Sequence, residues 1–253
     1  MRKLTLAAVI AVLLASTAPV MTVTNGRPDG NRHPYVGIAL QAAPGGEGYF
    51  VCTGSFISPT RFLTAAHCFD PALPALVSPA NQPPFPVVPG VVHNDPAWCF
   101  GCSAGLRGAD THDVAVITLA APVFMPVYAA LPAPGLVDTL AMKTSVDIVG
   151  YGVQGFVRGG GKPQDIFTAV RYFAPSQLVQ SSNPWSAEFI KLTANPSQGT
   201  GGVCFGDSGG PDILGGTNIV LAVNSYVTNT NCAGVTYSQR VDLPDILAFI
   251  NSF

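Results

Sequence analysis

An all-β fold made of two halves is what the sequence predicts, on three observations. The chain has 253 residues, long for one average domain and short for two. Its 27 glycines and 23 prolines sit among 48% apolar residues, a composition of many short strands joined by tight turns. No heptad pattern, internal repeat or long helical stretch competes with that reading. A net charge of −2 with 10% charged residues leaves no basic surface for nucleic acid. Val, Ile, Leu and Phe are too plentiful for a disordered chain.

Residues 1–22 read as a signal peptide with room for a short propeptide. Arg2 and Lys3 give a positive start, residues 4–15 are apolar except Thr5, and Ser16-Thr17-Ala18 offers the small residues a signal peptidase needs. That run falls short of the roughly twenty residues of an anchoring helix. The mature chain is therefore expected outside the cell with no stable membrane anchor. Residues 33–40 open the first strand, 49–57 form a second and 62–65 a third, with Ser58-Pro59-Thr60 turning between the last two. Residues 71–89 hold seven prolines and no acid. Proline removes backbone donors, so this segment is predicted to be a loop; without carboxylates it is not expected to bind calcium.

Residues 114–119 make a β-branched strand, and 120–137, with four prolines, connect the two halves. Residues 146–152, 219–225 and 235–241 are further strands. Gly159-Gly160-Gly161 is a flexible loop that lacks the Lys-Ser/Thr of a phosphate cradle. Apolar residues at 246, 247, 249, 250 and 253 predict a C-terminal helix, with Asp242 able to cap it and Pro244 in its first turn.

Three motifs carry chemistry. Ser208 lies in Gly206-Asp207-Ser208-Gly209-Gly210-Pro211, where glycines leave its hydroxyl uncrowded. His67 lies in Thr64-Ala65-Ala66-His67-Cys68, and Asp113 leads into an aliphatic strand. A serine hydroxyl is a poor nucleophile until an imidazole takes its proton, and a carboxylate holds that imidazole in the right tautomer. Asp110 competes with Asp113 but reads as a turn residue. His112 is expected to face solvent, and His33 and His93 have no catalytic context. Gly206 to Gly210 also satisfies the Gly-x-Ser-x-Gly pattern of α/β-hydrolases. That class runs Ser, acid, His, however, and no histidine follows Ser208.

The order His, Asp, Ser, the intervals of 46 and 95 residues between them, and Gly150-Tyr151-Gly152 resemble the chymotrypsin/trypsin-like serine proteases. The likeness runs from about residue 23 to the C-terminus, and the short leader is compatible with a secreted, bacterial-type member. The resemblance implies two packed six-stranded antiparallel β-barrels, about 23–125 and 126–253, with a C-terminal α-helix. It implies a secreted serine endopeptidase acting on proteins or peptides through an acyl-enzyme, monomeric and without cofactor or metal. Ser208 would be nucleophile, His67 base and Asp113 the orienting acid, with the backbone N–H groups of Gly206 and Ser208 forming the oxyanion hole. The substrate pocket would be built from Gly202, Val203, Ser225, Tyr226 and Val227. With no charge at Gly202, a buried Lys or Arg would be penalised, so cleavage after apolar residues is expected.

The resemblance also implies a zymogen, in which cleavage before Val23 frees an amine to pair with buried Asp207. Thr22, not Lys or Arg, precedes that bond; alternatively Val23 belongs to a propeptide or loop and Asp207 finds another donor. Six cysteines in an oxidising compartment suggest disulfides in any of fifteen pairings. The resemblance pairs Cys52 with Cys68 and Cys204 with Cys232. Cys99-Phe100-Gly101-Cys102 has no further zinc ligands beside it, which favours a small local disulfide between Cys99 and Cys102. A reading in a different class is a catalytically silent family member that binds a partner; such proteins usually lose a triad residue, and none is lost here.

Overall fold

The computed structural model describes residues 23–46, 48–103, 106, 108–157, 164–180 and 187–253. The predicted signal peptide and Gly159-Gly160-Gly161 lie outside those residues. After β1 (Arg27–Pro28), the strands β2 (Val36–Ala42), β3 (Tyr49–Ser58), β4 (Arg61–Thr64), β5 (Ala75–Ser78), β6 (Val88–Asn94) and β7 (Ala115–Leu119) close an antiparallel barrel in the order β2-β3-β4-β7-β6-β5. Phe56, Phe62, Val77 and Ile117 share one face of its sheet and Ile38 and Leu63 the other, all buried in one core cluster. Gly54 in β3 permits this packing: a Cβ there would lie 2.3 Å from the Phe62 ring. Phe62 instead meets Phe56 edge to face, with ring centroids 4.9 Å apart.

The second half contributes β8 (Ser145–Gly150), the hairpin β9 (Gly155–Val157) and β10 (Gln164–Ile166), then β11 (Tyr172–Gln180), β12 (Phe189–Ala194), β13 (Pro211–Leu214), β14 (Val220–Val227) and β15 (Gly234–Arg240). The order β11-β12-β15-β14-β13-β8 closes because β8 also pairs with β11, and β1 adds to β11 from outside. Both predicted barrels are therefore present, six strands each. The C-terminal helix α1 (Pro244–Ile250) buries Ile246 and Ile250 in a cluster that runs from the first barrel to Val149, Ile213 and Val223 of the second.

Three expectations are corrected. Residues 71–89 contain β5 and the start of β6. Pro74 and Pro79 flank β5 without entering it, so its four residues keep the backbone groups that pair with β2 and β6. The helix ends at Ile250, and its N-cap residue is Leu243 with no side-chain cap. Asp242 is occupied elsewhere: its carboxylate accepts from Arg240 Nε at 2.8 Å and from Val137 N–H at 2.8 Å. A buried carboxylate gains more from a guanidinium than from a helix terminus. His112 is half-buried, its Nδ1 3.4 Å from Asp95.

The barrels are joined by buried polar ties. Arg171, fully buried, pairs through Nε with Asp29 at 2.9 Å and donates to the Val36 carbonyl of β2 at 2.5 Å. His33 Nδ1 sits 2.5 Å from the same Asp29. His93 stacks on Phe253. Neither histidine approaches Ser208. No helix of the described residues is long and apolar enough to cross a membrane.

Candidate active site

His67 occupies a single 3-10 turn, Ala66–Cys68, that follows β4. The Cys52–Cys68 disulfide ties this turn to β3, and the buried methyls of Ala65 and Ala66 let the backbone turn close against the barrel. Asp113 lies fully buried just before β7. Its Oδ2 is 2.7 Å from His67 Nδ1, its Oδ1 accepts the His67 backbone N–H at 2.9 Å, and Ser225 Oγ donates to Oδ2 at 2.5 Å. Burial raises the Asp113 carboxyl pKa, but the His67 charge and these hydrogen bonds outweigh it and hold the value below the ordinary range. Burial likewise lowers the His67 pKa, and the charge and hydrogen bond of Asp113, with a smaller push from Asp110, lift it above its usual value. The pair thus holds a proton between them with the carboxylate ionised.

Ser208 is carried on the loop from β12 to β13. The Cys204–Cys232 disulfide braces that loop from the side. Thr53 of β3 stitches it to the first barrel: its N–H donates to the Ser208 carbonyl at 2.8 Å and its Oγ1 to the Gly206 carbonyl at 2.9 Å. Close approach needs Gly209, whose φ is +80° and whose Cβ would fall 2.1 Å from Thr64 Oγ1 and 2.4 Å from the Thr53 carbonyl. Gly206 has a φ of +96°, a conformation that favours glycine. Among the described residues the N–H groups of Gly206 and Ser208 donate to nothing. His67 and Ser208 line one cleft of about 510 Å³ together with Phe50, Cys52, Phe69 and Leu73. No hydrogen bond joins Ser208 Oγ to His67 among the described contacts, a looseness common in free enzymes.

Behind Ser208, Asp207 is fully buried and accepts from the N–H groups of Gly152 and Cys204, at 2.8 and 2.9 Å. Burial pushes its carboxyl up to about 7, against those two bonds. Val23 lies buried in the second barrel's core, and an ion pair between it and Asp207 is not among the described contacts. A recess of about 300 Å³ opens beside Ser208, lined by Val203, Cys204, Phe205, Ser225, Tyr226 and Val227. Gly202 stands behind this lining: a Cβ on it would lie 2.3 Å from Ala194 Cβ, and its N–H donates to Thr24. Among the described residues that line it, none is acidic and only His67 can carry a positive charge.

Sequence reading had not anticipated three features. Phe205 lines the recess, the Ser225 hydroxyl supports Asp113, and Asp110 comes to lie beside His67. Asp110 belongs to a strap whose ends pair Cys99 with Thr111 and which carries the Cys99–Cys102 disulfide. His67, Asp110 and Asp113 bring potential ligand atoms within 4.8 Å of one another. Both Asp113 oxygens are already committed to His67 and Ser225, so the set does not form an open metal cage.

Comparison with known proteins places these observations. The family model described as Trypsin matches residues 25–247. Chymotrypsin-like elastase family member 1 of the cat, Felis catus, is 29% identical over 225 residues, covering 82% of this chain and 80% of the relative. The human protein of that name is 29% identical over 222 residues, covering 77% of each. These relatives are mammalian and give the bacterial-type expectation no support. Among solved structures, HL collagenase superposes with a TM-score of 0.69 at 20% identity, covering 90% of this chain and 97% of its own. Human heparin binding protein does so with a TM-score of 0.64 at 17% identity, covering 91% and 96%. Those two structures share the fold, and their differing names leave function to the site.

Proposed function

The chain belongs to the trypsin family, and from that premise we propose that it is a secreted serine endopeptidase whose triad is Ser208, His67 and Asp113. The observation that carries this reading is the 2.7 Å contact of His67 Nδ1 with an ionised, buried Asp113, on an imidazole that shares its cleft with Ser208. In the first step Ser208 Oγ attacks the substrate carbonyl carbon while His67 Nε2 takes the hydroxyl proton. Asp113 holds Nδ1–H and stabilises the imidazolium. The carbonyl oxygen becomes an oxyanion, and the free N–H groups of Gly206 and Ser208 are the donors for it. The imidazolium then gives its proton to the departing amine, leaving an acyl-enzyme. Water, deprotonated by the same imidazole, releases the acid and restores Ser208.

The recess of Val203, Phe205, Tyr226 and Val227 supports cleavage after apolar residues. A buried Lys or Arg side chain would find no counter-charge there. Activation by cleavage before Val23 fits a site whose Asp207 pairs with no cation among the described residues. The complete triad argues against a silent binding protein.

Digestion of a diverse peptide library by the mature protein, beside Ser208→Ala, tests the reading, with cut sites read by mass spectrometry. Cuts after apolar residues that vanish in the variant are expected. Efficient Ser208-dependent cuts after Lys or Arg would overturn the pocket assignment, and no Ser208-dependent cuts at all would overturn the endopeptidase.

A further inference from the structure

We infer that a second recess, next to the one beside Ser208, takes a cationic side chain of the substrate, and that Asp110 selects it. This rests on the endopeptidase reading and says which peptides it prefers. The second recess has a volume of about 290 Å³ and is lined by Trp98, Phe100, Asp110 and Tyr226 together with His67 and Ser225. It shares His67, Ser225 and Tyr226 with the recess beside Ser208. Only His67 is common to it and the cleft that runs past Phe50 and Leu73. A peptide with one side chain in the first recess therefore brings a neighbouring residue over the second, which the inference takes to be the preceding one.

The chemistry of that second recess is a carboxylate among aromatic faces. Asp110 is buried to all but 7% of its surface. Trp98 Nε1–H donates to its Oδ2 at 3.2 Å and the Gly101 N–H to its Oδ1 at 2.8 Å. Two bonds leave a carboxylate with acceptor capacity to spare. Among the described residues no lysine or arginine pairs with it; Arg107 lies outside them. A buried carboxylate whose one cationic neighbour among the described residues is the His67 imidazole gains from an incoming lysine or arginine. Trp98, Phe100, which is 80% exposed, and Tyr226 line the same recess, and aromatic rings there would attract the same charge and cover its alkyl stem. Glutamate in that place would meet like charge.

The test uses peptides with one fixed apolar residue before the cut and Lys, Arg, norleucine, acetyl-lysine or Glu preceding it. Cleavage by the native protein, Asp110→Asn and Ser208→Ala is followed by mass spectrometry. The expected result is a kcat/KM for Lys and Arg about tenfold or more above norleucine, the discrimination of a charge-assisted contact. Acetylation of the lysine removes that advantage, and Asp110→Asn, which keeps an acceptor for Gly101, brings the ratio towards one. A flat native profile overturns the inference while leaving the endopeptidase intact. So does a preference that survives in Asp110→Asn, or an equal loss for every peptide, which would mean that Asp110 serves only His67. Absence of any Ser208-dependent cut overturns the endopeptidase, and the subsite with it.

Discussion

Replacing Asp212 by asparagine should change how stability depends on pH. Asp212 opens onto the second barrel's core from β13, opposite Ile148 of β8 and Ala222 of β14, both buried apolar residues. Neither of its oxygens has a hydrogen-bond partner among the described residues. The nearby Ser238 hydroxyl, which itself donates to Asn224 Oδ1 at 3.3 Å, lowers its pKa, and burial outweighs that effect. Burial pushes the Asp212 carboxyl from an ordinary 3.8 up to about 7. Unfolded, the group releases its proton near 3.8; folded, it keeps it to about 7. Between those values the native state binds a proton the unfolded state has lost, so stability falls as pH rises through the window. The contribution is complete below 3.8 and gone above 7. Roughly three decades of proton affinity at about 1.4 kcal/mol each make this about 4 kcal/mol.

Asparagine does not ionise, so the stability difference between Asp212→Asn and its parent should move by about 4 kcal/mol in favour of asparagine between pH 4 and pH 8. Asp207 titrates in the same sense in both proteins and cancels from that difference. The assay is urea unfolding at the two pH values, with both proteins carrying Ser208→Ala so that self-digestion plays no part. A difference that stays constant between the two pH values would refute the argument, because Asp212 would then be ionising at its ordinary value.

Two further outcomes follow from the site. Asp113→Asn should lower kcat by about 10⁴-fold with a near-native fold, the size of effect expected when the acid of such a triad becomes an amide; steady-state kinetics with a peptide substrate checks it, and a loss below tenfold would count against Asp113 as the orienting group. Gly209→Ala forces a methyl to within 2.4 Å of the Thr53 carbonyl at a φ of +80°, so a loss of at least 1–3 kcal/mol is expected from backbone strain, read as a lowered urea midpoint together with lost cleavage.

What could be read from the chain alone divides along physical lines. Ser208, His67 and Asp113 were legible because each sits in a short motif whose residue types are dictated by local chemistry. The β-branched run before Leu119 and the helix after Pro244 were legible from pattern. β5 was hidden because prolines at 74 and 79 crowd a strand only four residues long. β11 and β13 were hidden for a related reason. Pro175 lies within β11 and Pro211 begins β13, and each reads as a breaker until its neighbours are known. Asp110 was misjudged because sequence distance does not reveal that its carboxylate comes within 4.8 Å of a His67 ring nitrogen. The second role of Ser225 was invisible for the same reason: its hydroxyl reaches Asp113 across 112 residues of chain.

The Thr53 stitch between the barrels has a consequence for biosynthesis. His67 and Asp113 belong to the half made first, and Ser208 to the half made last, held in place by the Thr53 N–H and hydroxyl. With the proposed roles, a nascent chain that has completed only the earlier barrel would own a base and an acid but no nucleophile. A finished but undocked chain owns all three without their alignment. On the proposed reading, proteolytic capacity would be withheld until synthesis and assembly are both complete.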